Sequence, residues 1–176
     1  MARFDIQAEL LAGRSYSPGK GVTKVINIRD SETPLSSETI RKVEERLGIV
    51  FPIEYRDFLR LHNGGRPRPA VFRFKKPSGQ FADSCVDWFL AIYEGEHDNF
   101  ESYFETYQHR LPTELVPIAH DPGGNLICIA VSGTLNGFVF FWDHENECDI
   151  GETPTFANVY LIADTFSEFV NSLQDH

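Results

Sequence analysis

The segment LGIVFPIEYRDFLRLHNGG, Leu47 to Gly65, leaves its backbone few choices. Gly48 suits the left-handed position that closes a helix. Pro52 suits the first turn of the next helix, where its missing N–H costs nothing. Tyr55, Phe58, Leu59 and His62 then fall at i, i+3, i+4 and i+7, one face of a helix. Asn63-Gly64-Gly65 stops that helix, because glycine tolerates positive φ. His62, at the end of the apolar face, reads as a core or capping residue. Upstream, Ser36 is a good N-cap, Leu35 and Ile40 are spaced as a hydrophobic staple, and Ile40, Val43 and Leu47 share a face. The pattern predicts two short helices joined by a tight hinge at Gly48–Phe51. Both apolar faces need a surface to cover.

The rest of the chain supplies that surface. Residues 66–74 (RPRPAVFRF) lead from a proline-broken loop into a short strand. Residues 86–92 (VDWFLAI) read as a strand with Trp88, Leu90 and Ile92 on one face. A third helix is expected from Asp98 as cap, with Glu101 three residues later and Phe100, Tyr103, Phe104 and Tyr107 at helical spacing. Residues 115–131 read as strand, turn, strand. Asp121-Pro122-Gly123-Gly124-Asn125 is turn chemistry, and the apolar run Leu126–Val131 suits a central strand. Asn136-Gly137 signals a hairpin ahead of a strand over 137–145, and 159–164 is the last strand. Thr165 and Glu168 form a capping box for a final helix striped by Phe166, Phe169, Val170 and Leu173. Short links between the late strands predict a curved, mostly antiparallel sheet with helices packed on it. The class is α+β, with one domain over residues 31–176. Residues 1–30 read as an N-terminal arm, with SPGKG (17–21) as a turn and 22–28 as an edge strand or extended segment.

Fifteen phenylalanines against one methionine predict a core of stiff rings. Cys85, Cys128 and Cys148 are odd in number and form no CxxC, which points to reduced thiols in a cytoplasmic protein rather than zinc. No apolar run is long enough to span a bilayer, and the N-terminus does not read as a signal peptide. Charge is uneven. Residues 1–76 hold 15 Lys/Arg against 9 Asp/Glu; residues 77–176 hold a single cation, Arg110, against 17 Asp/Glu. The second half therefore disfavours direct nucleic-acid binding and favours a basic protein partner.

Nucleotide, metalloprotease and serine-hydrolase signatures are absent, and no cofactor is implied. DPGGNL lies between two strand patterns and reads as a turn rather than a phosphate loop. His120-Asp121 and Asp143-His144 are adjacent pairs that can meet across neighbouring strands as a metal or acid–base site, or serve as polar strand ends. In DHENECDIGE, Asp143, Glu145, Glu147 and Asp149 alternate. Cys148 occupies the position where a calcium loop requires glycine, so that reading fails. If extended, the four carboxylates share one face, which is solvated or meets cations.

Leu47-Gly48, Phe51-Pro52, Tyr55, Phe58-Leu59 and Asn63-Gly64-Gly65 together resemble the signature of the SUKH superfamily, in its Smi/Knr branch. Further matches run in order: Val116-Pro117-Ile118-Ala119, Asp121, Gly123-Gly124-Asn125, Ile127-Cys128-Ile129, then Gly137, Val139, Trp142-Asp143-His144-Glu145, and the Phe166…Phe169 helix. The resemblance covers roughly residues 33–173, with Phe51 where the family usually has leucine. It implies a non-enzymatic α+β domain. Bacterial members resemble immunity proteins that neutralise a toxin, often a nuclease; fungal members act as regulatory scaffolds in cell-wall synthesis. Under the first expectation the acidic half supplies the binding surface. Its candidate residues are Glu94, Glu96, Asp98, Asp143, Glu145, Glu147 and Asp149, with Trp142 or Trp88 as an aromatic anchor, although strand aromatics usually pack inward. The alternatives are the scaffold role and a small hydrolase built on His120, Asp121, Asp143 and His144.

Overall fold

The computed structural model describes residues 26–149 and 151–175. Its elements run β1 (Asn27–Arg29), α1 (Ser37–Leu47), α2 (Ile53–Leu61), β2 (Arg66–Arg68), β3 (Val71–Lys75), β4 (Phe81–Cys85), β5 (Trp88–Phe89), α3 (Phe100–Tyr107), β6 (Leu115–His120), β7 (Leu126–Ala130), β8 (Val139–Trp142), β9 (Val159–Ala163) and α4 (Phe166–Ser172). Strands β5 to β9 form one antiparallel sheet in chain order, and β1–β2 and β3–β4 are two-stranded antiparallel ribbons. The class is α+β, as the pattern of elements predicts. The arm expected over residues 1–30 lies, up to residue 25, outside the described residues; its end contributes β1.

The sheet is covered on both faces by different segments. Val116, Ile127, Ile129, Val139 and Phe141 join the larger core with Ile40, Tyr55, Phe58, Phe72, Phe166 and Phe169. Leu115, Leu126, Cys128, Ala130, Phe140 and Trp142 form a second core with Leu111, Leu135, Tyr107 and Phe156. Alternation along each strand produces this division, since successive side chains point to opposite faces. The larger core is a lattice of rings: Phe58 lies 4.9 Å from Phe89 and 5.1 Å from Phe166, and Phe74 stacks on Phe141 at 4.6 Å. Pro117 sits inside a central strand, where it has no N–H to give. The ladder accommodates it with a register shift between Pro117 and Ala119.

The signals that bound α1 form as read. Ser36 accepts the Thr39 N–H at 3.0 Å, and Gly48 closes α1 at φ 68°. Glu44, with nothing in its local pattern to mark it, is buried at the hinge. It accepts the Phe51 N–H at 2.7 Å and both donors of Arg56. Asn63-Gly64-Gly65 does more than stop α2. The Asn63 side chain donates to Thr33 O and Ile92 O and accepts from Ile92 N, at 2.9, 3.0 and 2.9 Å. A Cβ on Gly64 would lie 2.6 Å from that of Ala91, and one on Gly65 2.5 Å from Arg29 O. The motif is a joint where three chain segments meet too closely for side chains.

Three expectations change, and one strand, β4, is unexpected. Asn99, not Asp98, caps α3, accepting the Ser102 N–H at 3.1 Å; Asp98 turns away at φ 50°. The strand expected over 86–92 pairs only at Trp88–Phe89, and Leu90, Ala91 and Ile92 are all buried, so no alternating face exists there. β4 lies in a sequence without apolar alternation; its register with β3 pairs Arg73 with Asp83, which bond in bidentate fashion. The β7–β8 link is a longer turn containing a 3-10 segment, Gly133–Leu135, rather than a two-residue hairpin at Asn136-Gly137.

Candidate partner-binding surface

One row of residues crosses the sheet in register: Trp88, His120, Leu126, Trp142 and Val159. Residues directly opposite in antiparallel strands point to the same side, so this row belongs to the face of the smaller core. Side chains from outside the sheet lie over it. Arg66 sits 4.6 Å over the Trp88 ring, Tyr103 stacks on His120 at 5.8 Å, and Tyr107 meets Trp142 edge-on at 5.7 Å. Arg110 lies over both Tyr107 and Trp142, at 4.5 and 5.5 Å.

Immediately after Trp142 the chain leaves the sheet as the acidic loop. It is not extended. Asp143 caps a 3-10 turn, His144–Asn146, its carboxylate accepting from Glu145 N at 3.1 Å and Asn146 Nδ2 at 2.8 Å. The alternating carboxylate face expected over 143–149 therefore does not form. The backbone of Asp143 is held on both sides by Asn158, whose Nδ2 donates to Asp143 O and whose O accepts the Asp143 N–H. Arg110 grips Glu147 through Nε and Nη2 at 3.0 and 2.9 Å. Hydrogen bonding to Glu147 raises the Arg110 pKa above its ordinary value. The carboxylates that remain exposed on this loop are those of Glu145 and Asp149, with Asn146 between them also exposed. Arg110 carries a sequence signal, as the single cation among the last hundred residues; Asn158 carries none.

Glu94 and Glu96 are exposed in the loop between β5 and α3, and Asp98 is half-buried. Asp98 Oδ1 lies 2.7 Å from His120 Nε2, and His120 Nδ1 lies 3.2 Å from Asp121 O, so both ring nitrogens face acceptors. Trp142 is fully buried, which removes it from any surface in this conformation. Trp88 is half-buried beneath Arg66.

The two His-Asp pairs are brought near one another but not face to face. Asn125 lies between them: its Nδ2 donates to Asp121 Oδ2 at 2.8 Å, and its Oδ1 meets His144 Nδ1 at 2.8 Å. Asp121 Oδ1 accepts the N–H groups of Gly123 and Asn125, and Ser84 donates to Oδ2. The glycine turn thus spends its backbone donors on its own aspartate, as a plain turn does. Among the described residues no group of three or more His, Cys, Asp or Glu is placed to hold a metal ion. No helix among them is long and apolar enough to cross a membrane.

The sequence profile of the SMI1 / KNR4 family (SUKH-1) matches residues 34–172, from the approach to α1 through the end of α4. The chain is also similar to the SPbeta prophage-derived uncharacterized protein YokK of Bacillus subtilis (strain 168), at 29% identity over 158 residues. That match covers 80% of this chain and 75% of that protein.

Proposed function

We propose that this chain, which belongs to the SMI1 / KNR4 family (SUKH-1), is a non-enzymatic immunity protein that neutralises a cognate bacterial toxin by stoichiometric binding in the cytoplasm. The family includes immunity proteins, and the relative's prophage derivation agrees with a role tied to mobile elements. The observation that carries the reading is the acidic loop after β8. Asn158 and Arg110 fix its frame, while Glu145 and Asp149 stay exposed. Presenting carboxylates on a fixed frame lowers the ordering cost of binding and speeds the encounter with a basic partner. A nuclease toxin has such a basic cleft, because it must hold a polyanion.

Glu94, Glu96, Glu145 and Asp149 supply the contacting charge in this reading. Asp98, Asp143 and Glu147 are committed to internal bonds and position the loops. The experiment is a tagged pull-down from the native cell, eluted across a salt gradient, followed by assay of the captured protein. The expected result is a basic chain released at high salt, whose toxicity the purified wild type abolishes and the Glu145→Lys/Asp149→Lys variant does not. A captured toxin that both forms neutralise equally removes the acidic loop from the interface. Salt-independent capture of proteins without toxicity removes the immunity reading itself.

A further inference from the structure

Two acidic loops far apart in the chain are joined by one unbroken path of polar contacts. Loop 93–98 ends at Asp98, and loop 143–149 begins at Asp143-His144. Between them the contacts run from Asp98 to His120, His120 to Asp121, Asp121 to Asn125, and Asn125 to His144. The glycine turn that links β6 to β7 is therefore also the bridge between the loops.

Each link leaves its residue little freedom. Asn125 donates from Nδ2 to Asp121 and accepts at Oδ1 from both His144 N, at 3.1 Å, and His144 Nδ1, at 2.8 Å. Turned over, the amide would set its donors against donors and its oxygen against a carboxylate, so one orientation alone serves both sides. Asp121 is buried, and its two carboxylate oxygens accept from Gly123 N, Asn125 N, Ser84 Oγ and Asn125 Nδ2. It cannot shift without stranding one of those groups. A Cβ on Gly124 would lie 3.8 Å from the His144 ring, so the turn packs against the second loop as well as bonding to it. At the other end, Tyr103 stacks on His120, and Asp98 holds φ 50° while its O accepts the Ala91 N–H at 2.8 Å.

We infer that Asn125 and His120 are positioning residues that couple the two loops, so that loops 93–98 and 143–149 open and close as one unit. The coupling belongs to the free protein. It deepens the proposed function, since it fixes Glu94 and Glu96 relative to Glu145, but its test needs no toxin. A partner that orders one loop then lowers the cost of ordering the other.

The test is amide hydrogen exchange by NMR. Ala91, bonded to Asp98 O, reports the first loop; Asn146, bonded to Asp143 O, reports the second; Ala130, bonded to Phe138 O in the sheet, is the reference. Asn125→Leu keeps the volume and removes both amide bonds. His120→Phe keeps the stack on Tyr103 and removes the link to Asp98. Relative to Ala130, each variant should speed exchange about tenfold at its near end and about threefold or more at its far end. Asn125→Ser, with less bulk, should reproduce Asn125→Leu. The double variant should exchange no faster than the singles, because a path already broken cannot be broken again. Ser84→Ala takes a donor from Asp121 but leaves the path whole, so it should speed neither end. Effects confined to the near ends, effects no larger than at Ala130, effects that multiply in the double variant, or acceleration of both ends by Ser84→Ala overturn the inference.

Discussion

Glu44 on α1 and Arg56 on α2 are joined through both carboxylate oxygens, at 2.8 and 2.9 Å, across the hinge between the helices. The same carboxylate accepts the Phe51 N–H, so one buried group fixes the angle between two helices and the entry to the second. Removing one partner of a buried pair strands the other. Glu44→Ala should cost about 3 kcal/mol in urea unfolding. Arg56→Ala should cost at least as much, because it strands the buried Glu44 carboxylate, whereas the Arg56 side chain that Glu44→Ala leaves behind reaches solvent. A double-mutant cycle that gives no coupling between them would show that the pair does not hold the hinge.

Tyr55 places its hydroxyl inside the ring lattice, with no hydrogen-bond partner among the described residues. Burial raises its pKa, so it stays neutral, but the unpaired O–H still loses its hydration on folding. Tyr55→Phe keeps the ring contacts with Phe51 and Phe166 and removes that loss. Thermal unfolding should show a variant more stable by about 1 kcal/mol. A lower melting temperature would point to a bond the hydroxyl makes in solution.

His62 closes α2 with its ring 5.4 Å from Phe58, and burial lowers its pKa below the ordinary 6.5. Between the folded and unfolded pKa values the unfolded chain binds more protons, so stability rises with pH through that window and falls as pH drops below about 6.5. His62→Gln should flatten this part of the stability profile while leaving the deeper acid transition, which carboxylates govern. Parallel slopes for both proteins from pH 6.5 to 5 would exclude His62 as its source.

Arg110 holds the acidic loop through Glu147 and stacks over Tyr107. Arg110→Met keeps much of the stem's packing and removes the fork. The expected result is faster cleavage by a glutamate-specific protease within 143–149, with global stability nearly unchanged. Arg110→Lys should restore protection only in part, since an ammonium cannot make the bidentate contact. Unchanged cleavage in both variants would assign the loop's order to Asn158 alone.

The helices and their caps were legible because their signals are local: Ser36 before an apolar stripe, Thr165 before Glu168, Gly48 after Leu47. The fold class and family were legible for the same reason, as an ordered series of such signals. The strands were less so. β4 exists because β3 pairs with it, and neither Phe81 nor Asp83 carries an inward pattern of its own. Asp98 and Asn99 are equally good caps on paper; the demand of His120 for a partner took Asp98 elsewhere. The acidic stretch misled through its spacing. Alternation matters only in extended chain, and Asp143 bends the segment by capping it. The frame around it, Arg110 and Asn158, is separated from it in sequence and becomes visible only when the sheet brings distant segments together.

A sheet packed on both faces by different segments divides the molecule mechanically. The larger side is a continuous ring lattice that includes α2 and α4 and resists any local opening. The smaller side is closed by turns and by the end of α3, so it is the part expected to exchange its amide protons first. The acidic loop is mounted there. Substitutions that reshape it strain a shallow layer and leave the deep one undisturbed, so the loop can vary in sequence while the scaffold beneath stays the same.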